Sequence, residues 1–361
     1  MKSSLEVEYW VVDESGDLVS SDTLLDVSAQ VDPEFVEPMI ELKTTPCESM
    51  RELQNEFLDL LEHVVAAARE QGKRLVPLAT PLSSSPAEIP FREKRGTNLQ
   101  RQIVGPTFDD ARVCAGTHIH FEQSNVVDQL NTLTAIDPAF ALVNSSSHYR
   151  GESIVSCARP YLYRRSCYNA CPEQGQLWPY VNSVEEWEQR LESAYETFRD
   201  RALEHGIDPA AFDDEFEPYD AVWTPVRLRQ AMPTVEWRSP DAALPSQVFQ
   251  LAEEVGSLVA YADAHGAVVS PDTMLDDTTD EPLSLPAFET VENVVDAAIH
   301  NGLADPSVQQ YLTQLGFTPS SYTPFADRLP DRRLTDREAA TIRLEAAAEL
   351  EGELTQSRAQ A

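Results

Sequence analysis

Residues Leu5 to Asp13 constrain the chain more than any other stretch. Leu5, Val7, Tyr9 and Val11 alternate with Glu6, Glu8 and Trp10, the two-residue period of a β-strand with one apolar and one polar face. Carboxylates two residues apart on a strand stand roughly 7 Å from each other. That spacing suits two oxygen ligands turned toward one cation cluster. An ordinary half-solvated strand carries the same letters, so this segment alone decides nothing.

Three later segments repeat its logic. Glu37-Pro38-Met39-Ile40-Glu41-Leu42 sets Glu37 and Glu41 on one face, against Ile40 and Leu42. Cys114 to Glu122 groups His118, His120 and Glu122 opposite Thr117, Ile119 and Phe121. Thr234-Val235-Glu236-Trp237-Arg238 presents Glu236 and Arg238 together, backed by Val235 and Trp237. Antiparallel sheets with one wet face alternate in this way. A His-x-His beside several carboxylates is nonetheless an uncommon means of solubilising a sheet, and the polar face is expected to line a cavity.

Helices fill the intervals. Ser49-x-x-Glu52 is a capping box, followed by Leu53, Phe57, Leu60, Leu61, Val64, Val65 and Ala68 at helical spacing up to Gly72. Ser183-x-x-Glu186 opens a second helix, running to about Gly206, and Asn125 is expected to cap a third. Pro138–Ser147 reads as a buried helix. Gln247–His265 reads as another, with Leu251, Val255, Leu258 and Val259 inward. Asp272 to Pro286 is an acidic loop, and a long Ala/Glu-rich helix starts at Asp336. Neither an internal repeat nor a clean linker appears. The expectation is one α+β domain over residues 1–361, an antiparallel sheet forming an open funnel covered by helices, with motifs up to about 265 and a helical part from about 266.

Composition narrows the partners. A net charge of -34 removes the clustered basic residues that phosphate backbones need, so nucleic acid is not an expected partner. Nor does any window approach the length of a membrane span or a secretory leader, which makes the cytoplasm the expected compartment. Five cysteines are an odd set that suits reduced thiols; Cys167-x-x-x-Cys171 could begin a zinc site, but no second pair follows. The sequence leaves a homo-oligomer open.

Walker A and G-x-G-x-x-G runs are both missing, so a bound nucleotide would be held by metal ions and arginines. The candidate donors are hard carboxylate oxygens and imidazoles, which favour Mg²⁺ or Mn²⁺ over a thiolate zinc site. Carboxylates crowded on one face also raise each other's pKa unless cations sit among them.

Taken in order, Leu5-Glu6-Val7-Glu8, Glu34 to Thr44, Gly116-Thr117-His118-Ile119-His120 and Thr234 to Arg238 resemble the glutamate–cysteine ligases, specifically their second-type carboxylate–amine ligase branch within the glutamine-synthetase-like superfamily. The resemblance implies ATP-dependent joining of the L-glutamate γ-carboxylate to the amine of L-cysteine, through γ-glutamyl phosphate. It implies Glu6, Glu8, Glu41, His118 and Glu236 as metal ligands, with Glu34 as a further acidic ligand. His120 would face nucleotide phosphate or substrate, and Arg238 the phosphoryl group in transfer. Arg150 and Arg159, in a basic island of an acidic chain, are candidates for a substrate carboxylate or ATP, with surface ion pairing the alternative. The opening Ser3-Ser4-Leu5-Glu6-Val7-Glu8 departs from the family's Gly-x-Glu-Glu-Glu, and the Ser83–Pro90 loop from its His-Pro loop; both bear on the amine substrate. Rival readings are a ligase with another amine acceptor, a kinase that stops at phosphoryl transfer, a zinc hydrolase built on His118-x-His120, and a non-catalytic binding protein.

Lysine occurs only at positions 2, 43, 73 and 94, so nearly all positive charge is arginine. A highly acidic, lysine-poor surface resembles proteins of extreme halophiles, including archaeal members of the family, in which salt screens self-repulsion. Folding followed by circular dichroism is expected to require molar salt; full stability in dilute buffer would contradict the halophilic reading.

Overall fold

The computed structural model describes residues 1–270 and 281–360. Its centre is a seven-stranded antiparallel sheet built from β1 (Ser3–Asp13), β2 (Val31–Pro33), β3 (Met39–Lys43), β4 (Lys73–Val76) and β5 (Thr117–Glu122), with two later strands. A short hairpin, β6 (His148–Tyr149) with β7 (Glu152–Ser153), stands apart from the sheet. The later sheet strands are β8 (Val226–Arg229) and β9 (Thr234–Trp237). The order is β2-β3-β1-β5-β9-β8, and β4 pairs with the C-terminal half of β1.

Directly opposed residues in a ladder share a face. Glu8 opposes Glu41, Glu6 opposes His118, His120 opposes Glu236, and Glu236 opposes Arg227. One row of ionisable side chains therefore crosses the sheet from β3 to β8. The other face carries Leu5, Val7, Ile40, Leu42, Ile119, Phe121, Val235 and Trp237, all buried in one core. Helices Met50–Glu70, Val126–Ala135 and Pro245–His265 contribute the opposing side of that core. Helix Met50–Glu70 buries the seven apolar residues that its spacing predicts. At Ser49 the hydroxyl accepts from the Glu52 N–H, while the Glu52 carboxylate reaches back to the N–H of Glu48. Ser183 and Glu186 repeat this, with the carboxylate on Asn182.

Some expectations are corrected. Asn125 takes the N-cap position as expected, but its side chain makes no cap hydrogen bond: its amide turns to Asp128, and its N–H is taken by Asp263. The buried segment after Asp137 is a 3₁₀-helix, Asp137–Val143, fully enclosed. Leu258 is only partly buried on its helix. Cys167 and Cys171 are free thiols enclosed with Phe108, Tyr168, Phe198 and Phe212, an apolar cluster rather than a metal site. The acidic loop from Asp272 falls mostly outside the described residues; its end forms β11 (Leu283–Leu285), parallel to β10 (Ala267–Val269). Among the described residues no helix is long and apolar enough to cross a membrane.

The polar row stops at Trp10. Trp10 and Val12 sit on the Glu6/Glu8 face, but they are sealed by Val76, Leu78, Val113 and three alanines, Ala339, Ala346 and Ala347, of the last helix, Asp336–Gln360. That helix crosses the β1 turn at close range. Gly16 holds a left-handed φ of 86°, and a Cβ there would lie 2.5 Å from the Ala340 carbonyl oxygen. Buried Arg343 locks the crossing by donating Nε to the Gly16 carbonyl (2.8 Å) and Nη1 to that of Pro81 (2.7 Å). Gly16→Ala combines an unfavourable φ with a backbone clash, and is expected to lower stability by about 2–3 kcal/mol. Urea unfolding measures this; an unchanged midpoint would show that the helix is not held there.

Candidate active site

The site forms where the polar row is densest, and its spacing follows from the pleat. Glu6 and Glu8 come from β1, Glu41 from β3, His118 and His120 from β5, and Glu236 from β9, while Glu34 enters from the turn before β3. Three sets of donors result: Glu6, His120 and Glu236; Glu6, Glu41 and His118; and Glu8, Glu34 and Glu41, each with its ligand atoms within 4.8 Å of one another. Glu6 and Glu41 each belong to two sets, so the three form one continuous chain of donors. Every metal-ligand candidate expected from the sequence is in it.

Glu37 and Glu122, expected on the same faces, are not. Pro38 delays the start of β3 to Met39, and Glu37 is left in the turn, where its carbonyl takes Ser21 and Arg92. Glu122 is exposed at the end of β5 and accepts the Lys2 N–H.

Both imidazoles have one fixed and one free nitrogen. His118 Nδ1 lies 3.0 Å from Glu6 Oε2, and its Nε2 is buried without a hydrogen bond. His120 Nδ1 lies 3.1 Å from Thr234 Oγ1, whose own proton goes to the Met232 carbonyl. The Thr234 oxygen can then only accept, so His120 is protonated at Nδ1 and its Nε2, also buried and unbonded, offers a lone pair toward Glu6 and Glu236. Burial, with the nearby Arg238 charge, pushes His118 down to about 3, leaving it a neutral imidazole.

The carboxyls divide by their surroundings. Burial opposes ionisation of Glu6, but the His118 and His120 imidazoles beside it outweigh that and hold it well below the usual range. Burial raises Glu236 too, yet the Arg227 and Arg238 charges bring it far down; Arg227 Nε sits 2.6 Å from Oε2, and Arg238 binds Oε1. Among the described residues, Glu8, Glu34 and Glu41 have no arginine bonded to them, and the one cation paired with Glu41 is Lys43, at 3.8 Å. Burial and then mutual repulsion push Glu34 up to about 8 and Glu41 well above its ordinary value. Burial also raises Glu8, against the pull of Arg159 and the Gly116 N–H at 2.5 Å.

Unpartnered imidazole nitrogens amid carboxyls that resist ionisation are a donor set missing its counter-charge. Hard oxygen donors with at most one imidazole per set fit Mg²⁺ or Mn²⁺. His118 and His120 fall in different sets, so they do not chelate one ion together, as the zinc hydrolase reading needs.

The arginines separate as well. Arg238 stands at the edge of the donor chain, above the Trp223 ring (5.7 Å). Buried Arg159 lies beneath, its Nη1 donating to the carbonyls of Arg238, Ser239 and Pro240. Arg150 belongs to no donor set: it is exposed on the β6–β7 turn and pairs with Asp110 at 2.8 Å, which corrects its expected catalytic place. Arg227 and Thr234, which orient Glu236 and His120, were not singled out from sequence. The alternation Val226-Arg227-Leu228-Arg229 is the signal that would have found the first.

With the geometry in hand, the comparisons are consistent. A model of glutamate–cysteine ligase family 2 matches residues 5–310, and the chain belongs to that family, a carboxylate–amine ligase class. No curated protein matches it in sequence. Among solved structures, a bifunctional glutathione synthetase from Pasteurella multocida aligns with a TM-score of 0.62 and 14% identity, over 97% of this chain and 52% of that one. The chain thus spans about half the length of that protein. A glutamate–cysteine ligase from Francisella tularensis, solved with AMP, aligns with a TM-score of 0.53 and 14% identity, over 99% and 93% of the two chains. These are likenesses of fold.

Glu34, at about 8, keeps its proton at neutral pH, whereas the unfolded chain releases it near 4.5. Between those values the metal-free fold binds more protons than the unfolded chain, so its stability falls as pH rises through the window. Mn²⁺ is expected to displace those protons, to bind more tightly as pH rises toward 8, and to flatten the decline. Calorimetry in two buffers of different ionisation enthalpy reads the proton release; none at pH 7 would contradict the assignment.

Proposed function

We propose that the protein is an ATP-dependent glutamate–cysteine ligase. The observation that carries this is the fused chain of three donor sets on one sheet face, ending at Arg238. In the proposed reaction a γ-carboxylate oxygen of L-glutamate attacks the γ-phosphorus of ATP. The oxygen–phosphorus bond of γ-glutamyl phosphate forms as the bridging bond to the β-phosphate breaks, and ADP leaves. The neutral amine of L-cysteine then attacks the acyl carbon; the amide C–N bond forms, the C–O bond to phosphate breaks, and the amine proton passes to solvent.

Glu6, Glu8, Glu34, Glu41, His118 and Glu236 would hold Mg²⁺ or Mn²⁺, which when bound supplies positive charge against the triphosphate and the phosphoryl group in transfer. Arg238 adds a fixed guanidinium at the same edge. Burial lowers its tendency to stay charged, but Glu236 reverses that and keeps it protonated. Arg227 shares Glu236, so Arg238 can turn toward a phosphate without leaving the carboxylate bare. His120 presents its free Nε2 beside Glu6 and Glu236, where it meets phosphate or cation. The polar row thereby manages charge, which is most of what phosphoryl transfer requires.

The test is to incubate the protein with ATP, Mg²⁺ and L-glutamate, offer each amino acid in turn and weigh the product. L-cysteine is expected to give γ-glutamylcysteine with one ADP per turnover. Glu41→Gln is expected to lower kcat by at least ~10²-fold with the fold intact. A product from another amine would change the acceptor, and ADP formation indifferent to amine would mean a kinase. Chelator-sensitive hydrolysis without ATP would favour the zinc reading.

A further inference from the structure

Beyond Arg238 the sheet face opens into a cleft lined in part by Arg159, Tyr163, Arg164, Trp223, Pro225 and Arg238. Its walls are apolar and aromatic: Tyr163 stacks against Trp223, with centroids 6.4 Å apart and an interplanar angle of 22°. Its floor is cationic, and no carboxylate is among the residues that line it.

The three arginines are not equivalent. Arg164 is spent on buried Asp137, with bonds of 2.6 and 3.2 Å to its two oxygens. Arg238 is paired with Glu236. Arg159 forms no ion pair among the described residues: its Nη1 takes only backbone carbonyls, and its Nε is buried without a partner. Glu8 and Asp241 feel its charge, but neither is in ion-pair contact with it, so a carboxylate bound in the cleft would be its first direct anionic partner. The chain makes room for the guanidinium at Gly116, where a Cβ would stand 2.2 Å from Arg159 Nη2.

We propose that this cleft holds the acceptor amino acid, with its α-carboxylate on Arg159 and a small uncharged side chain against Trp223 and Tyr163. The assignment rests on the ligase reading. The absent carboxylate favours the acceptor over the donor. L-glutamate's α-ammonium is a spectator that gains from an anionic partner, which the cleft does not offer. The acceptor amine must instead lose its proton to become a nucleophile. Surrounding guanidinium groups disfavour the ammonium form and lower its pKa. A cation that fixes the carboxylate thus also helps to free the amine.

The experiment compares L-cysteine with cysteamine, which has the same thiol and amine but no carboxylate. Hydroxylamine serves as a third nucleophile that traps the acyl phosphate without needing the cleft. Wild type is expected to prefer cysteine over cysteamine in kcat/KM by about thirtyfold, the scale of a charge-assisted hydrogen bond. Arg159→Met is expected to collapse that ratio toward one by raising the cysteine KM, and Gly116→Ala to reduce it part way. Calorimetric titration of both amines into wild type carrying Mg²⁺ and a non-hydrolysable ATP analogue reads the same preference without turnover. Equal binding and use of the two amines by wild type would overturn the assignment, as would an unchanged ratio in both folded variants. Failure of wild type to form the hydroxamate would instead strike the ligase reading, and the binding comparison would still decide the cleft.

Discussion

A buried face with more carboxylates than cations is the constraint on which the rest of this structure depends. Glu8, Glu34 and Glu41 share one donor set with no arginine bonded to any of them, and burial together with their mutual repulsion keeps them from ionising freely. Leaving such charges unpaired in a low-dielectric interior costs several kcal/mol per ion. A fold retains that arrangement only where something else completes it. Divalent cations would do so, and the free Nε2 atoms of His118 and His120 mark the same deficit from the imidazole side.

At the other end of the row the deficit reverses. Glu236 is enclosed between Arg227 and Arg238, and Arg159 reaches the backbone just beyond. A gradient from negative to positive therefore runs along one sheet face from β3 to β8. In the proposed reaction, a polyanion held by cations at one end would meet guanidinium groups at the other. The sheet supplies this without any phosphate-cradling loop, because antiparallel register sets the spacing of the charges. The last helix serves the same face from outside, closing the row at Trp10 with small alanine side chains that allow close approach.

Much of this was legible in the letters. Period-two alternation in Leu5 to Asp13 and in Thr234 to Arg238 identified strands and the faces of Glu6, Glu8, Glu236 and Arg238, because alternation is a local property of extended chain. The helix at Met50–Glu70 was equally plain from its apolar spacing. Glu37 failed because one proline shifted the strand start, and Glu122 because it sits at the exposed end of its strand, opposite Thr234, where the Lys2 N–H takes its carboxylate. Arg150 failed for a different reason. A cation's partner is set by what folds beside it, and Asp110, forty residues away in the chain, claims it.

What the sequence determined by itself is the period of each strand, and hence which side chains share a face, since that follows from backbone geometry within a few residues. Tertiary structure alone decided which strands adjoin and in what register. Those pairings put His118 opposite Glu6, His120 opposite Glu236, and Arg227 behind it. The first two depend on contacts between segments more than a hundred residues apart, whose choice rests on packing of the whole apolar face. The difference between Arg159 and Arg164, one cation held by backbone carbonyls and the other by a carboxylate, belongs to that second kind of information.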